Sequence, residues 1–242
     1  MSVDESGEDI IVKGKGIAFQ KKSGDEINQN KIDKIFVIKN QEINRRYQEI
    51  LVHIPYDCIN ACEDMIDVIK ANIHKELSDK IYVTLTDHIF NLLERVKMGI
   101  VFDNALLWDV KRLYREEYQA GLLVVEMIRE LFDIKIEDDE ACFIALHIVN
   151  AQMNTEFKEV IEITTMIDDV YDIVESCFDL NIDKDGLEYT RFIMHLRVFF
   201  ERIINQQNIH SEKSQTLLKT LQNEYLKQYQ CVLKILDYVS MK

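Results

Sequence analysis

Thr84 to Val96 read TLTDHIFNLLERV, and Arg191 to Ile203, 107 positions later, read RFIMHLRVFFERI. Laid on one another, the two segments align His88 with His195 and Glu94-Arg95 with Glu201-Arg202. Leu85, Ile89, Leu92, Leu93 and Val96 fall on Phe192, Leu196, Phe199, Phe200 and Ile203. That spacing is one stripe along a helix, with the histidine at its edge. A second echo follows: Tyr114-x-x-x-Tyr118-Gln119 recurs as Tyr225-x-x-x-Tyr229-Gln230 at a separation of 111, a difference that a loop absorbs. The chain is organised around two related all-helical modules, each presenting a histidine.

The rest of the composition fits that model. One proline, seven glycines and 47% hydrophobic residues in 242 describe a mostly α globular protein with room for two domains and a sizeable core. The net charge of −14 is unevenly placed. Residues 1–40 hold seven lysines against seven acids, so the excess falls on residues 41–242, a surface that repels nucleic acid. Five cysteines form no CxxC pair and mostly interrupt apolar helical runs, which fits reduced thiols in a reducing compartment. Cys58-x-x-x-Cys62 reads as core packing, with a metal site as the alternative. No apolar run approaches the ~20 residues that span a bilayer, and the N-terminus lacks a secretory signal, so a cytoplasmic protein without membrane insertion is expected.

Residues 1–40 differ in character. Four of the seven glycines lie here beside two short β-favouring runs, 9–12 and 35–38, which read as a small antiparallel sheet. Between the runs, Val12 to Lys22 (VKGKGIAFQKK) carries four lysines, no acid, two glycines and one aromatic. These are the ingredients of a surface that binds phosphates and stacks bases. A glycine bulge flanked by solvated lysines, with Phe19 in a core, is the alternative. A Walker phosphate loop is excluded because no GxxxxGK[ST] is present.

Residues 41–48 are polar and charged, as a helical linker requires. Pro55 precedes a long helical run to Leu77, and 78–80 break it before the helix of His88. Residues 102–113 and 114–132 read as two amphipathic helices. In 136–154, IEDDEACFIALHIVNAQMN, the acids suit a helix N-terminus, and Phe143, His147 and Asn150 share a face. Residues 49–155 thus form a five-helix bundle. The second module, 156–242, opens with a helix over 162–180, breaks at 181–186 and continues as the His195 helix over 187–205.

VKGKGIAFQKKSGDEI followed by KIDKIF resembles the co-antiterminator RNA-binding domain that opens the BglG/SacY/LicT family of transcriptional antiterminators. The resemblance implies a dimeric four-stranded module that clamps a hairpin in nascent messenger RNA, with Gly14, Lys15 and Gly16 against the RNA backbone and Phe19 against a base. Family members begin earlier, with a strand that includes an RNA-contacting asparagine. Met1 falls where that strand ends, so RNA binding is expected to be weak or absent. TDHIxxxxER and ALHIVNA resemble the two histidine motifs of a PRD, the regulatory domain of antiterminators controlled by the sugar phosphotransferase system. FIMHLRVFFERI resembles the first motif of a second PRD, whose last helix is expected beyond Lys242.

The resemblance implies that His88 and His147 meet across the first bundle and accept phosphate, and that His195 is a third acceptor. It implies HPr and a sugar-specific enzyme II component as donors, and a homodimer. Imidazole suits the task, because its neutral nitrogen is a nucleophile near pH 7 and phosphorylation gives it negative charge that reorganises an interface. An isolated histidine at a helix edge is ordinarily a hydrogen-bonded core residue; the repeated motifs argue otherwise here. Asp87 either orients an imidazole or points to solvent. His53, His74 and His210 match no motif and read as surface or loop residues.

Three functions compete. The first is an RNA-binding antiterminator regulated by histidine phosphorylation, with no catalysis, cofactor or metal. The second is a phosphoacceptor and interaction module that has lost RNA binding. The third is a metal-dependent helical enzyme built on His88, His147 and nearby carboxylates, against which stands the absence of HExxH or ExxH spacing.

Overall fold

The structure, a computed structural model, describes residues 2–3, 9–22, 24–36, 41–100, 107–153, 157–179, 183–184, 186–204 and 214–241. The chain divides into two compact units, Met1–Ile59 and Asn60–Lys242.

In the first unit, β1 (Ser2–Val3), β2 (Asp9–Lys13) and β3 (Lys34–Phe36) form an antiparallel sheet in that order. Ser2 pairs with Ile10, and Val12 with Ile35. After β2 the chain winds through successive turns, closed by bonds such as Ile17 N–H to Gly14 O and Phe19 N–H to Gly16 O, each 3.2 Å. The fold itself requires both glycines. A Cβ on Gly14 would lie 1.8 Å from the Lys31 carbonyl oxygen, and Gly16 has φ +67°. Residues 41–48, read as a helical linker, are helical. They open α1 (Gln41–His53), which buries Ile43 and Tyr47, so the charged residues of this stretch cover only its outer face. Ile11, Ile17, Tyr47, Leu51 and Tyr56 line an apolar cavity of about 210 Å³.

The second unit is helical. Helix α2 (Tyr56–Asn72), which begins in the first unit, contributes Cys62, Met65, Ile66 and Ile69 to its core. It ends short of the expected Leu77. Downstream of it, the Ser78 N–H bonds the Ala151 carbonyl at 3.0 Å, satisfying one of the carbonyls that a helix end leaves open. In α3 (Lys80–Lys97) the stripe read from the sequence is the buried face: Ile81, Leu85, Ile89 and Leu92 are almost wholly inaccessible. Next come α4 (Leu107–Leu113), α5 (Arg115–Phe132) and α6 (Glu140–Met153). Of the helix expected over 102–113, residues 102–106 lie outside the described residues. Helix α6 is buried on every side from Ile144 to Ala151, and Phe143 before it is partly exposed. Its residues there are mostly small or apolar, and α3, α4, α5 and α7 pack around it.

Helix α7 (Phe157–Phe178) starts at Phe157, earlier than the expected 162, and serves two cores. Its Val160 packs with Val110, Tyr114, Cys142 and Val149 of the first module. Its Ile163, Ile167, Val170 and Tyr171 pack with Tyr189, Ile193 and Phe200 of α8 (Leu187–Ile204). Polar contacts fix the junction: Tyr114 and Thr164 hydroxyls lie 3.1 Å apart, and Arg112 Nη2 donates to Asp168 at 2.5 Å. Helices α9 (Ser214–Glu224) and α10 (Leu226–Ser240) follow.

The repeat is visible in the backbone. Tyr114 caps α5 with φ −126°, ψ 54°, and Tyr225 caps α10 with φ −127°, ψ 49°. Each tyrosine N–H bonds the carbonyl four residues back, and each accepts from the N–H of the tyrosine four residues on.

Candidate functional site

Helices α3 and α6 run antiparallel, and the positions that meet are His88 with His147 and, two turns away, Arg95 with Glu140. The imidazole centroids are 4.8 Å apart with planes at 43°. Phe143 lies 5.8 Å from His88, and Phe157, in the first turn of α7, stacks on His147 at 4.4 Å. The histidine pair is therefore enclosed by both modules, with His147 buried and His88 nearly so.

Enclosure sets the chemistry. Burial, and then the Arg95 guanidinium, lower the His88 pKa to about 4. Burial, and then His88 itself, hold His147 well below the ordinary histidine range. Both rings are neutral near pH 7 and keep a nitrogen lone pair. His88 Nε2 and His147 Nδ1 are buried without a hydrogen-bond partner among the described residues. Glu140 Oε2 stands 3.8 Å from His88 Nε2, too far for a hydrogen bond, while Arg95 Nη2 reaches the Glu140 oxygens at 3.4 and 3.5 Å. Burial raises the Glu140 pKa, with Arg95 opposing.

Asp87 is exposed, so the acid that faces His88 is Glu140. Sequence reasoning places Glu140 only as a helix-start acid. The signal that could have found it is register: Arg95 follows His88 by seven residues and Glu140 precedes His147 by seven, so antiparallel packing brings all four together. His195 lies exposed on α8. Two residues on, Arg197 reaches into the first module, bonding Gln152 at 3.0 Å and lying 5.1 Å from the Tyr114 ring centroid. His53 and His74 are exposed, and His210 lies outside the described residues. Cys58 and Cys62 are buried thiols that form no disulfide. Among the described residues no group of three His, Cys, Asp or Glu side chains is placed to hold a metal, and no helix is long and apolar enough to cross a membrane.

In the first unit Phe19 is 76% exposed, which overturns the alternative that buried it in a core. It stands on the turn after β2 with Lys15, Lys21 and Lys22, also exposed, beside Gly14 and Gly16. A large aromatic left in water on a turn with exposed lysines is the kind of surface feature that marks an interaction site.

The chain resembles known proteins along its length. A PRD domain model matches residues 63–151 and 168–242, and a CAT RNA binding domain model matches residues 1–45. The chain is 38% identical to the transcription antiterminator LicT of Bacillus subtilis over 98% of its own length and 85% of that protein. It is 32% identical to the beta-glucoside operon antiterminator of Dickeya chrysanthemi over 99% of its length and 84% of that protein. Among solved structures, the crystal structure of GlcT CAT-PRDI superimposes with a TM-score of 0.53 at 29% identity, covering 62% of this chain and 89% of that one. With PRD matches over most of its length and an antiterminator resemblance running nearly end to end, the chain belongs to the family of transcription antiterminators that join a CAT RNA binding domain to PRD domains.

Proposed function

We propose that this protein is a cytoplasmic antiterminator of a sugar operon, which binds a hairpin in nascent messenger RNA and is regulated by phosphorylation of its PRD histidines. The observation that carries the reading is the enclosed, neutral pair His88 and His147 in a chain that matches antiterminators over nearly its whole length. Residues 1–40 supply the RNA surface: Lys15, Gly14 and Gly16 lie along the RNA backbone, and Phe19 stacks on a base. Residues 49–155 and 156–242 are the two regulatory modules.

His88, His147 and His195 are the phosphoacceptors, and HPr and a sugar-specific enzyme II component are the donors. The protein acts by binding and needs no catalysis, metal or cofactor of its own. It works as a homodimer. Supporting self-association, α8 and α10 expose Phe199, Ile203, Val232, Leu233 and Leu236, an apolar content that single surface residues do not explain.

Gel-shift titration of the full chain against hairpin RNA tests the reading, with the low affinity expected from the sequence. Lys15→Ala is expected to weaken binding and lower the slope of log affinity against log salt by about one, the loss of one phosphate contact. Phe19→Ala is expected to weaken binding by about 1 to 3 kcal/mol with the slope unchanged. Hairpin binding indifferent to both substitutions would remove the turn after β2 from the RNA surface.

A further inference from the structure

One carboxylate touches both ends of the α3–α6 contact. Glu140 opens α6, two turns before His147, and its oxygens lie 3.8 Å from His88 Nε2 and 3.4 Å from Arg95 Nη2. The nitrogen is buried, makes no hydrogen bond among the described residues and faces an anion. A phosphoryl group bonded to Nε2 would put its oxygens where the Glu140 carboxylate now stands. Arg95, on the same face of α3 as His88, is placed to bind either anion, and a guanidinium binds phosphate oxygens as readily as a carboxylate.

We propose that Glu140 occupies the phosphoryl seat of His88 in the unmodified protein, and that Arg95 receives the phosphoryl oxygens once Glu140 is displaced. The proposal rests on the reading of His88 as an acceptor and adds which nitrogen reacts, which residue blocks it and which residue holds the product. Carboxylate and phosphoryl group carry like charges and compete for one guanidinium in a buried site, which favours exchange of one for the other. It also has a route outward. Glu140 is the first residue of α6, and expelling its charge from the α3 contact alters the start of the helix that carries His147 and stacks on Phe157 of the second module.

Phosphoramidate is a probe small enough to reach the site without a carrier protein. The Nε2 lone pair forms the new P–N bond as the reagent's own P–N bond breaks. The reagent's –NH3+ group departs as neutral ammonia, and the imidazole keeps its Nδ1 proton until water removes it. The full chain, Glu140→Gln, Arg95→Lys and Arg95→Met are treated with phosphoramidate; phosphorus NMR distinguishes Nε2 from Nδ1 phosphohistidine, peptide mapping assigns the label, and circular dichroism monitors the helices.

The expected results are label at Nε2 of His88, labelling of Glu140→Gln about tenfold faster, since a like charge is removed from the approach, and a phosphohistidine in Arg95→Met that hydrolyses about tenfold sooner, with Arg95→Lys between. Equal labelling rates and lifetimes in the folded variants, or label at Nδ1 of His88, would overturn the proposal and leave His88 an acceptor. If Arg95→Met fails to fold, the rate for the nearly isosteric Glu140→Gln decides alone. No label on His88 in any variant would overturn the acceptor reading itself.

Discussion

Helices α3 and α8 have the same pattern and meet different surroundings. In α3 the stripe is buried, Leu92 is 1% exposed, and His88 faces α6. In α8 the matching Phe199 is 42% exposed, and His195 faces solvent. The contrast repeats in α5 and α10, where Val125 is fully buried and the matching Leu236 is 50% exposed. Local pattern specifies the helix and its capping turn twice over. What a position becomes, core residue or surface residue, paired or lone imidazole, depends on the helix laid across it. In the first module that helix is α6; among the described residues α8 packs chiefly on α7.

The largest expected effect is at the paired tyrosine caps. Tyr114 is fully buried with its hydroxyl at Thr164, whereas Tyr225 is half-exposed. Tyr114→Ala is expected to cost about 4 kcal/mol in urea unfolding, as large aromatic truncations in a core do, and Tyr225→Ala less than about 1 kcal/mol. Similar costs would mean that the second module is as closely packed as the first.

A somewhat smaller effect follows from pH. The unfolded chain takes up a proton at His88 as pH falls through 6.5, while the folded chain resists until about pH 4. In that window the unfolded state binds more protons, so stability falls with falling pH. Relative to His88→Gln, the wild type should lose about 3 kcal/mol between pH 7 and pH 4. Glu140, whose raised pKa acts in the opposite direction, is present in both proteins and largely cancels. A difference that stays flat with pH would place His88 in water.

Smaller again is a steric contrast. A Cβ on Gly121 would lie 2.5 Å from the Ala141 carbonyl oxygen, and the residue at the matching place in α10 is Val232, which is exposed. Gly121→Ala should cost about 2 kcal/mol by pushing α6 off α5, and Val232→Ser less than about 0.5 kcal/mol. A tolerated Gly121→Ala would show that α6 can shift without loss.

Much of this is legible in the sequence. The stripe of Leu85, Ile89 and Leu92, the two tyrosine junctions and the division between a glycine-bearing sheet and helical modules all follow from spacing, because helical periodicity and turn chemistry are local properties. Glu140 is not legible as a neighbour of His88, since the contact crosses 52 residues and depends on antiparallel register. Tyr47 is hidden in a charged stretch because one buried face needs few apolar residues. The bond from Ser78 to Ala151, in the segment after the early end of α2, joins distant parts of the chain, which no local pattern encodes.

On this reading the repeated histidine motifs, and not histidines in general, are the regulatory sites. Incubating the full chain with a reconstituted phosphotransferase chain and mapping phosphohistidines by mass spectrometry tests that directly. Label is expected at His88, His147 and His195, and none at His53, His74 or His210. Label found mainly at His210 would contradict it.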